Sequence, residues 1–583
     1  MAKTYTTYNI RIILVLTLGS LTFGYTYSVI SNTLGQPGFV AKFGLGSNNS
    51  YTNAISGAIN GIFSAGGVFG ALTTGWMSEA RGRKQTMNLA ALISILGSAL
   101  QTGSVNIAMF LVARFIAGWG IGMMVVLIPL YQAEICKYQS KGFVKVVAES
   151  WLAAPPNARG FLVGQHGSWI VTGYALAGWV GVGTFYFSNP SFQWRFPISL
   201  SCLPPLALLA CSPWVPESPR WRKNRPSFCW APCWRSAVLT RDRSDEAWTI
   251  ISKLHGSSDD DEQMYAREEF YQMTQQVRND ALAWDQGGNR QLFTKPSYRK
   301  RMWMGFFVQY AAQTTGAMVV YIYVVQLYKN LGETGGIPLI LGAAYVTVAA
   351  MSNFLGAFVM DKAGRVTLLS RLFMICIKFG VVELIPAIAI GLSGCMVSLA
   401  LETAMVARFA GTSDKAGNSL GVFFTFCFIS FYGGGIDVVS YVYCSEIFPT
   451  HIRSQGMAWS IVGTFLSTLV YVEAGPTALA NIQWKYYLIF VCLTFVNIVI
   501  IYFWLPEVSW ACRMRRAKVK LTRNLPQTKG LSLEEINGRF GDEVVVHFQD
   551  ATDKQKASLE ATVIAEGGFG GEKNQRPMGP EHA

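Results

Sequence analysis

Apolar runs of about twenty residues follow one another from Ile10 to Trp504, separated mostly by short polar connections. As helices, such runs are each long enough to cross a hydrocarbon layer of about 30 Å. The pattern predicts spans near 10–32, 56–77, 87–105, 108–130, 160–187, 195–213, 301–328, 337–360, 366–391, 419–444, 456–474 and 485–505. The expected fold class is an all-α integral membrane protein, with twelve transmembrane helices in two six-helix bundles. An N-terminal bundle covers 1–213, a linker 214–300, a C-terminal bundle 301–506 and a tail 507–583. The linker holds an amphipathic stretch at 246–254 and charge-rich, helix-like sequence at 259–279. The tail ends Gly-rich and polar, a composition that buries too little apolar surface to order itself.

Charge then sets the orientation. Connections after even-numbered spans are basic, as at Arg81, Arg83 and Lys84, or Lys362 and Arg365, whereas those after odd-numbered spans hold few cations. Cytoplasmic loops carry the excess of Lys and Arg, so both termini and the linker are expected in the cytoplasm, and the plasma membrane is the expected location. No short cleavable signal precedes the first span. Composition agrees with the class: 51% of residues are hydrophobic and only 14% charged, against roughly 25% charged in soluble domains. The eleven cysteines lack the spacing of a disulfide framework or zinc site. No nucleophile–base pair, metal-ligand cluster or nucleotide-binding loop is evident, which argues against an enzyme, an ATP-driven pump or any cofactor.

The two groups of spans echo each other. Gly75 to Lys84 reads GWMSEARGRK and Gly356 to Val366 reads GAFVMDKAGRV; aligning Glu79 with Asp361 matches Gly82 to Gly364 and Arg83 to Arg365. PLYQAEI (Pro129 to Ile135) likewise echoes YVYCSEIFP (Tyr441 to Pro449). Four landmarks in register indicate homologous halves, an arrangement that places a substrate site between them near the bilayer midplane.

Three stretches interrupt the pattern: 136–153, 222–237 and 508–527. Cys136-Lys137-Tyr138, Arg222-Lys223 and Val508-Ser509 can be encoded by codons containing a splice donor. Acceptors are available at Ala153-Ala154, Ala237-Val238 and Gln527, and excision restores continuous motifs in frame. Retained introns explain all three; the other reading is insertion into tolerant surface loops. These stretches contribute a net +12 of the formal net charge of +14, so the basic balance is no argument for a nucleic-acid partner.

GRK after the second span, RFIAGWGIG (Arg114 to Gly122), PLYQAEI, PESPRW (Pro216 to Trp221), DKAGR and YCSEIFPTHIRSQG together resemble the sugar porters of the major facilitator superfamily, most of all fungal members. The resemblance implies two bundles rocking about a central site. It also implies a cytoplasmic charge network that opens and closes, formed by Glu79, Arg81, Arg83, Arg114, Glu134 and Arg159 in one half and by Asp361, Arg365, Glu446 and Arg453 in the other.

The substrate positions depart from that family. Sugar porters usually present two glutamines and an asparagine on the seventh span, because amides both donate to and accept from hydroxyls. Here Ala312 takes the first position, Gln313 keeps the second, and Met318 replaces the asparagine. The fifth span offers Gly167 and Tyr174 with Gln165 and His166 nearby; Thr464 and Phe465 stand on the eleventh, and Tyr441 replaces a tryptophan on the tenth. Gln313, Tyr321, Tyr441, Tyr174 and His166 are the substrate-binding candidates, with Tyr323 beside them; helix–helix hydrogen bonding is the competing role for each. Proton-linked relatives carry an aspartate on the first span where this chain has Thr26. A threonine cannot titrate, which favours a facilitator. Against that stands Asp437, a carboxylate about 13 Å deeper than Glu446 at 1.5 Å per residue, costly at such depth and a functional residue by default.

The expected function is transport of a sugar or related polyol by alternating access, with facilitation slightly favoured over proton symport. The expected partners are the substrate, the lipid bilayer and, in the symport case, protons. The alternative is a transporter-like receptor that binds sugar and signals without transport.

Overall fold

A computed structural model describes residues 7–46, 50–135, 159–217, 290–331, 335–376, 387–409, 412, 414–449 and 452–504. The three interrupting stretches, most of the linker and the tail lie outside the described residues. Every regular element described is helical. In the first half these are α1 (Thr7–Gly35), α2 (Pro37–Phe43), α3 (Ser50–Ala80), α4 (Arg83–Thr102), α5 (Ile107–Ile135), α6 (Arg159–Phe185), α7 (Pro190–Leu200) and α8 (Leu203–Cys211). In the second they are α9 (Gln291–Thr294), α10 (Pro296–Gln313), α11 (Ala317–Asn330), α12 (Ile337–Cys376), α13 (Ala387–Phe409), α14 (Lys415–Tyr432), α15 (Val438–Glu446), α16 (Arg453–Ile482) and α17 (Lys485–Trp504). A π-helical segment, Gly433–Asp437, joins α14 to α15.

Among the described residues, eight stretches are long and apolar enough to cross a membrane, including Pro190–Trp214 and Lys415–Ser445, which each run through two helices. Local chemistry sets several starts. The Asn189 side chain accepts from the amides of Ser191 and Phe192, and Asp414 caps α14 in the same way through Ala416 and Gly417. Such caps satisfy the free N–H groups of a first turn. Large apolar side chains such as Trp76, Val112, Leu355 and Phe423 are exposed, while Thr26, Gln132, His166, Asn353 and Asp437 are buried. Lipid is as apolar as a leucine side chain, so polarity collects between the helices.

One span is displaced. The sequence predicted the ninth at 366–391, but α12 runs on to Cys376 and the helix packed against α14 and α17 is α13, which starts at Ala387. Residues 366–391 carry Arg371, Lys378 and Glu383, whereas 387–409 hold only Glu402 and Arg408, so the second part is the more lipid-like. The repeat gave no warning: α4 starts at Arg83, whereas the matching Arg365 lies inside α12.

Within the first half α1 packs on α6 and α5 lies between α3 and α4; across the halves α3 meets α16 and α6 meets α12. The cross-half seam is tight. A Cβ on Gly67 would fall 2.5 Å from the Phe465 ring, and one on Gly167 only 3.7 Å from the Val438 Cα.

Candidate substrate site between the two halves

Two helices of the second half break beside the seam, and the breaks position the site. α10 ends at Gln313, and the chain turns through Thr314, Thr315 and Gly316 before α11 begins. Gly316 has φ +86°, a left-handed conformation that a side chain disfavours. Asn497 donates to the Thr314 hydroxyl at 2.6 Å and holds the break against α17. In the other break, a Cβ on Gly433 would lie 2.9 Å from the Asn353 amide nitrogen, and Gly356 of α12 comes close to the Gly434 carbonyl. Three consecutive glycines thus let α12 approach the π segment directly. Single π turns inside helices recur at functional sites.

A chain of polar and aromatic side chains crosses from one half to the other. Gln313 donates from Nε2 to the Tyr432 hydroxyl at 3.4 Å. Tyr432, Tyr441, Tyr174 and the Asn353 side chain all lie within electrostatic reach of Asp437. The Tyr441 ring meets the His166 ring edge-on at 5.3 Å, and His166 Nδ1 is 2.7 Å from the Ser20 hydroxyl of α1. Tyr174 stacks on Tyr321 at 5.0 Å, and Tyr27 and Phe23 pack against Tyr174. Among the described residues, Thr26 Oγ1, Tyr27 Oη, Gln165 Nε2, His166 Nε2, Tyr174 Oη and Gln313 Oε1 are buried without a hydrogen-bond partner. Unpaired buried polar atoms cost about 1–3 kcal/mol each. A polyhydroxylated ligand among them would recover that cost.

Of the five binding candidates, His166 touches Tyr441, Tyr441 and Tyr174 lie within electrostatic reach of Asp437, and Gln313 meets Tyr432. Tyr321 does something else: its hydroxyl bonds Ser28, and Ser31 donates to the Ile322 carbonyl at 3.0 Å, so α11 is tied to α1 above the site. Beyond this tie a cavity of about 490 Å³ opens between the halves, lined by Ser31, Thr52, Asn53, Gln326 and Lys329. Tyr323 donates to the Val472 carbonyl at 2.8 Å and ties α11 to α16.

At the opposite end, Glu79 pairs with Arg83 at 3.1 Å and accepts from Ser454 of the other half at 2.8 Å. Arg83 also donates to the Ser78 carbonyl, and Arg453 donates to the Phe448 carbonyl. Arg81 is exposed. Glu134, Arg159, Asp361, Arg365 and Glu446 lie on described helices, but their side chains fall outside the described set.

Arg114 is a correction. It stands 20 residues before Glu134, about 30 Å along α5 at 1.5 Å per residue, and is no part of that charge cluster. It lies over the Phe63 ring and donates to the Ile59 and Thr26 carbonyls.

Sequence reasoning also passed over Asn353, Tyr432, Glu217 and Glu402. Glu217, within PESPRW, accepts from the backbone N–H groups of Arg83 and Lys84 at 2.8 and 3.1 Å, a carboxylate at a helix N-terminus. Glu402 is fully buried in α13 with neither carboxylate oxygen hydrogen-bonded among the described residues. A lone carboxylate in an apolar run is a signal that the misplaced ninth span concealed.

The sequence profile of the family described as sugar (and other) transporter matches residues 12–511. The chain belongs to the sugar transporter family. Relatives within reach include the MFS-type transporter criB of Aspergillus cristatus, 27% identical over 543 residues, covering 93% of this chain and 96% of the relative. The high-affinity glucose transporter of Kluyveromyces lactis is 25% identical, with 92% and 86% covered, and the probable polyol transporter 3 of Arabidopsis thaliana is 24% identical, with 95% of each covered. Among solved structures, the proton:xylose symporter XylE bound to 6-bromo-6-deoxy-D-glucose superposes with a TM-score of 0.68 at 21% identity, covering 92% of this chain and 99% of XylE. The helical fold of the major facilitator superfamily is thereby assigned.

Proposed function

We propose that this sugar transporter family member carries a sugar or related polyol across a membrane by alternating access. One observation carries the reading: unpartnered buried hydrogen-bonding groups from both halves converge at the seam, among them His166 Nε2 and Tyr174 Oη from the first and Gln313 Oε1 from the second. Such a set suits a ligand dense in hydroxyls, which donate and accept from every side. Aromatic rings at Tyr27, Tyr174, Tyr441 and Phe465 add flat apolar surfaces for the C–H faces of such a ligand. Two ties between halves, Ser28–Tyr321 on one side of the site and Glu79–Ser454 on the other, are among the contacts that opening on either side has to break. Both termini are placed in the cytoplasm by the basic connections, so the Glu79 end is the inner one.

Relatives named for glucose and polyol transport support the substrate class, while Ala312 and Met318 in place of the usual amides set this chain apart from a plain hexose pattern. The test is counterflow in vesicles containing the purified protein, with labelled hexoses, pentoses and linear polyols. Trans-stimulated exchange of at least one of them is expected. Binding without exchange for every compound would convert the reading to a sugar receptor.

A further inference from the structure

The carboxylate of Asp437 sits in the seam at the end of the π segment, and the family's own coupling position holds Thr26. The groups around it, taken element by element, are few. α12 supplies Asn353, α14 Tyr432, α15 Tyr441 and α6 Tyr174, with His166 on the far side of the Tyr441 ring. α13 contributes Cys395, close to Tyr432, and the glycine surface at Gly391. No cation pairs with Asp437 among the described residues. The buried guanidinium of Arg114 is directed instead at the Ile59 and Thr26 carbonyls.

An ionised carboxylate buried without a counter-charge costs several kcal/mol, and protonation removes that cost. We propose that Asp437 is the proton-binding residue of this carrier, loading a proton together with substrate from the outer side and releasing it to the cytoplasm, so that transport is symport. This rests on the transport reading above.

The geometry gives the coupling a route. Tyr432 accepts from Gln313 and lies within electrostatic reach of Asp437, as does Tyr441, so a substrate held by Gln313 and Tyr441 would lie in the same field as the carboxyl group. When the outer side is open, water reaches the carboxylate and delivers the proton: carboxylate plus hydronium gives carboxylic acid plus water. The neutral acid then donates to a substrate oxygen or a neighbouring phenol and passes through the closed intermediate without a bare charge. Opening of the Glu79 side readmits water, and the proton leaves. The bend falls in the π segment, where Gly434 meets Gly356 of α12 backbone to backbone, with no side chain between them.

The experiment uses full-length protein in sealed vesicles and the sugar or polyol with the strongest counterflow. With an imposed pH gradient, acid outside, the wild type is expected to accumulate label at least several-fold above equilibrium, and an uncoupler should abolish this. Asp437→Asn should exchange label at a comparable rate yet never exceed equilibrium. Asp437→Glu, which keeps the proton site, should restore part of the accumulation. His166→Gln should lower apparent affinity while keeping the gradient response. Wild-type uptake indifferent to the gradient overturns the proposal while leaving the carrier reading intact, as does uphill accumulation by Asp437→Asn. Should Asp437→Asn fail to fold, the wild type still decides: a pH-sensitive dye inside the vesicles must report acidification when substrate is added outside. Absence of counterflow for the whole panel overturns the carrier reading and this one with it.

Discussion

Ser454→Ala removes one hydroxyl that reaches across the two halves, and its effect can be sized from the contact it breaks. The Ser454 hydroxyl donates to the Glu79 carboxylate at 2.8 Å. A hydrogen bond to a charged group contributes about 1.5–3 kcal/mol when well shielded. The Glu79 side chain is 30% exposed and keeps Arg83 as a partner, so water replaces part of the loss and about 1 kcal/mol is the fairer figure. That is about a fivefold change in the ratio of closed to open cytoplasmic side. Ala458 reads the change out. It is buried at the same seam, 3.1 Å from where a Cβ on Gly75 would sit. A cysteine introduced there should react with an impermeant thiol reagent only when that side is open. Labelling of Ala458→Cys, quantified on the modified peptide from inside-out vesicles, should rise about fivefold when Ser454→Ala is added, with protein yield unchanged. Equal labelling rates in the two backgrounds would refute the assignment of this contact as a gate.

Three further outcomes follow from other parts of the molecule. Gln313→Ala removes an amide whose Oε1 is free to meet substrate; at about 0.5–1.5 kcal/mol per hydrogen bond, apparent affinity in counterflow should fall roughly two- to tenfold, and a collapse in folded yield with unaltered affinity would show it to be a packing residue. Thr26→Asp places a carboxylate beside the unpartnered Arg114 Nη2, and pairing of a buried charge should raise the thermal unfolding midpoint by a few degrees; a lower midpoint contradicts the placement of that guanidinium. The form lacking 136–153, 222–237 and 508–527 should transport faster than the full chain at equal surface density, because the first stretch separates Glu134 from Arg159; equal rates, or a mature transcript that retains all three, would dismiss the intron reading.

The class was legible because lipid imposes a single strong rule, that a spanning helix needs about twenty apolar residues. The repeat around Gly82-Arg83 and Gly364-Arg365 located the halves because turn glycines and paired charges are short, local patterns. The site was harder to read. Gln313 and Tyr441 were recognisable from motif position, but Asn353 is one polar residue in the run AAMSNFLGAF, and nothing local says that it will meet Asp437. That meeting depends on three glycines permitting a π turn, a tertiary fact. Arg114 was misplaced because a motif gives membership without depth; counting 20 residues back from Glu134 would have put it near the far end of α5. The ninth span was misplaced because the DKAGR motif set its start, although Arg371, Lys378 and Glu383 make 366–391 less apolar than 387–409.

The breaks at Thr314–Gly316 and Gly433–Asp437 have no counterpart in the first half: α1 and α5, which the repeat pairs with these helices, each run 29 residues without a non-helical interruption. One wall of the passage is therefore stiff and the other jointed, and the carrier cannot be a mirror-symmetric rocker. If the joints flex as the site changes sides, substrate arriving from outside meets a differently shaped wall from substrate arriving from inside. The half-saturation concentrations for influx and efflux should then differ. With no driving gradient, detailed balance requires the ratio of maximal rate to half-saturation concentration to be equal in the two directions, so the weaker-binding face has to be the faster one.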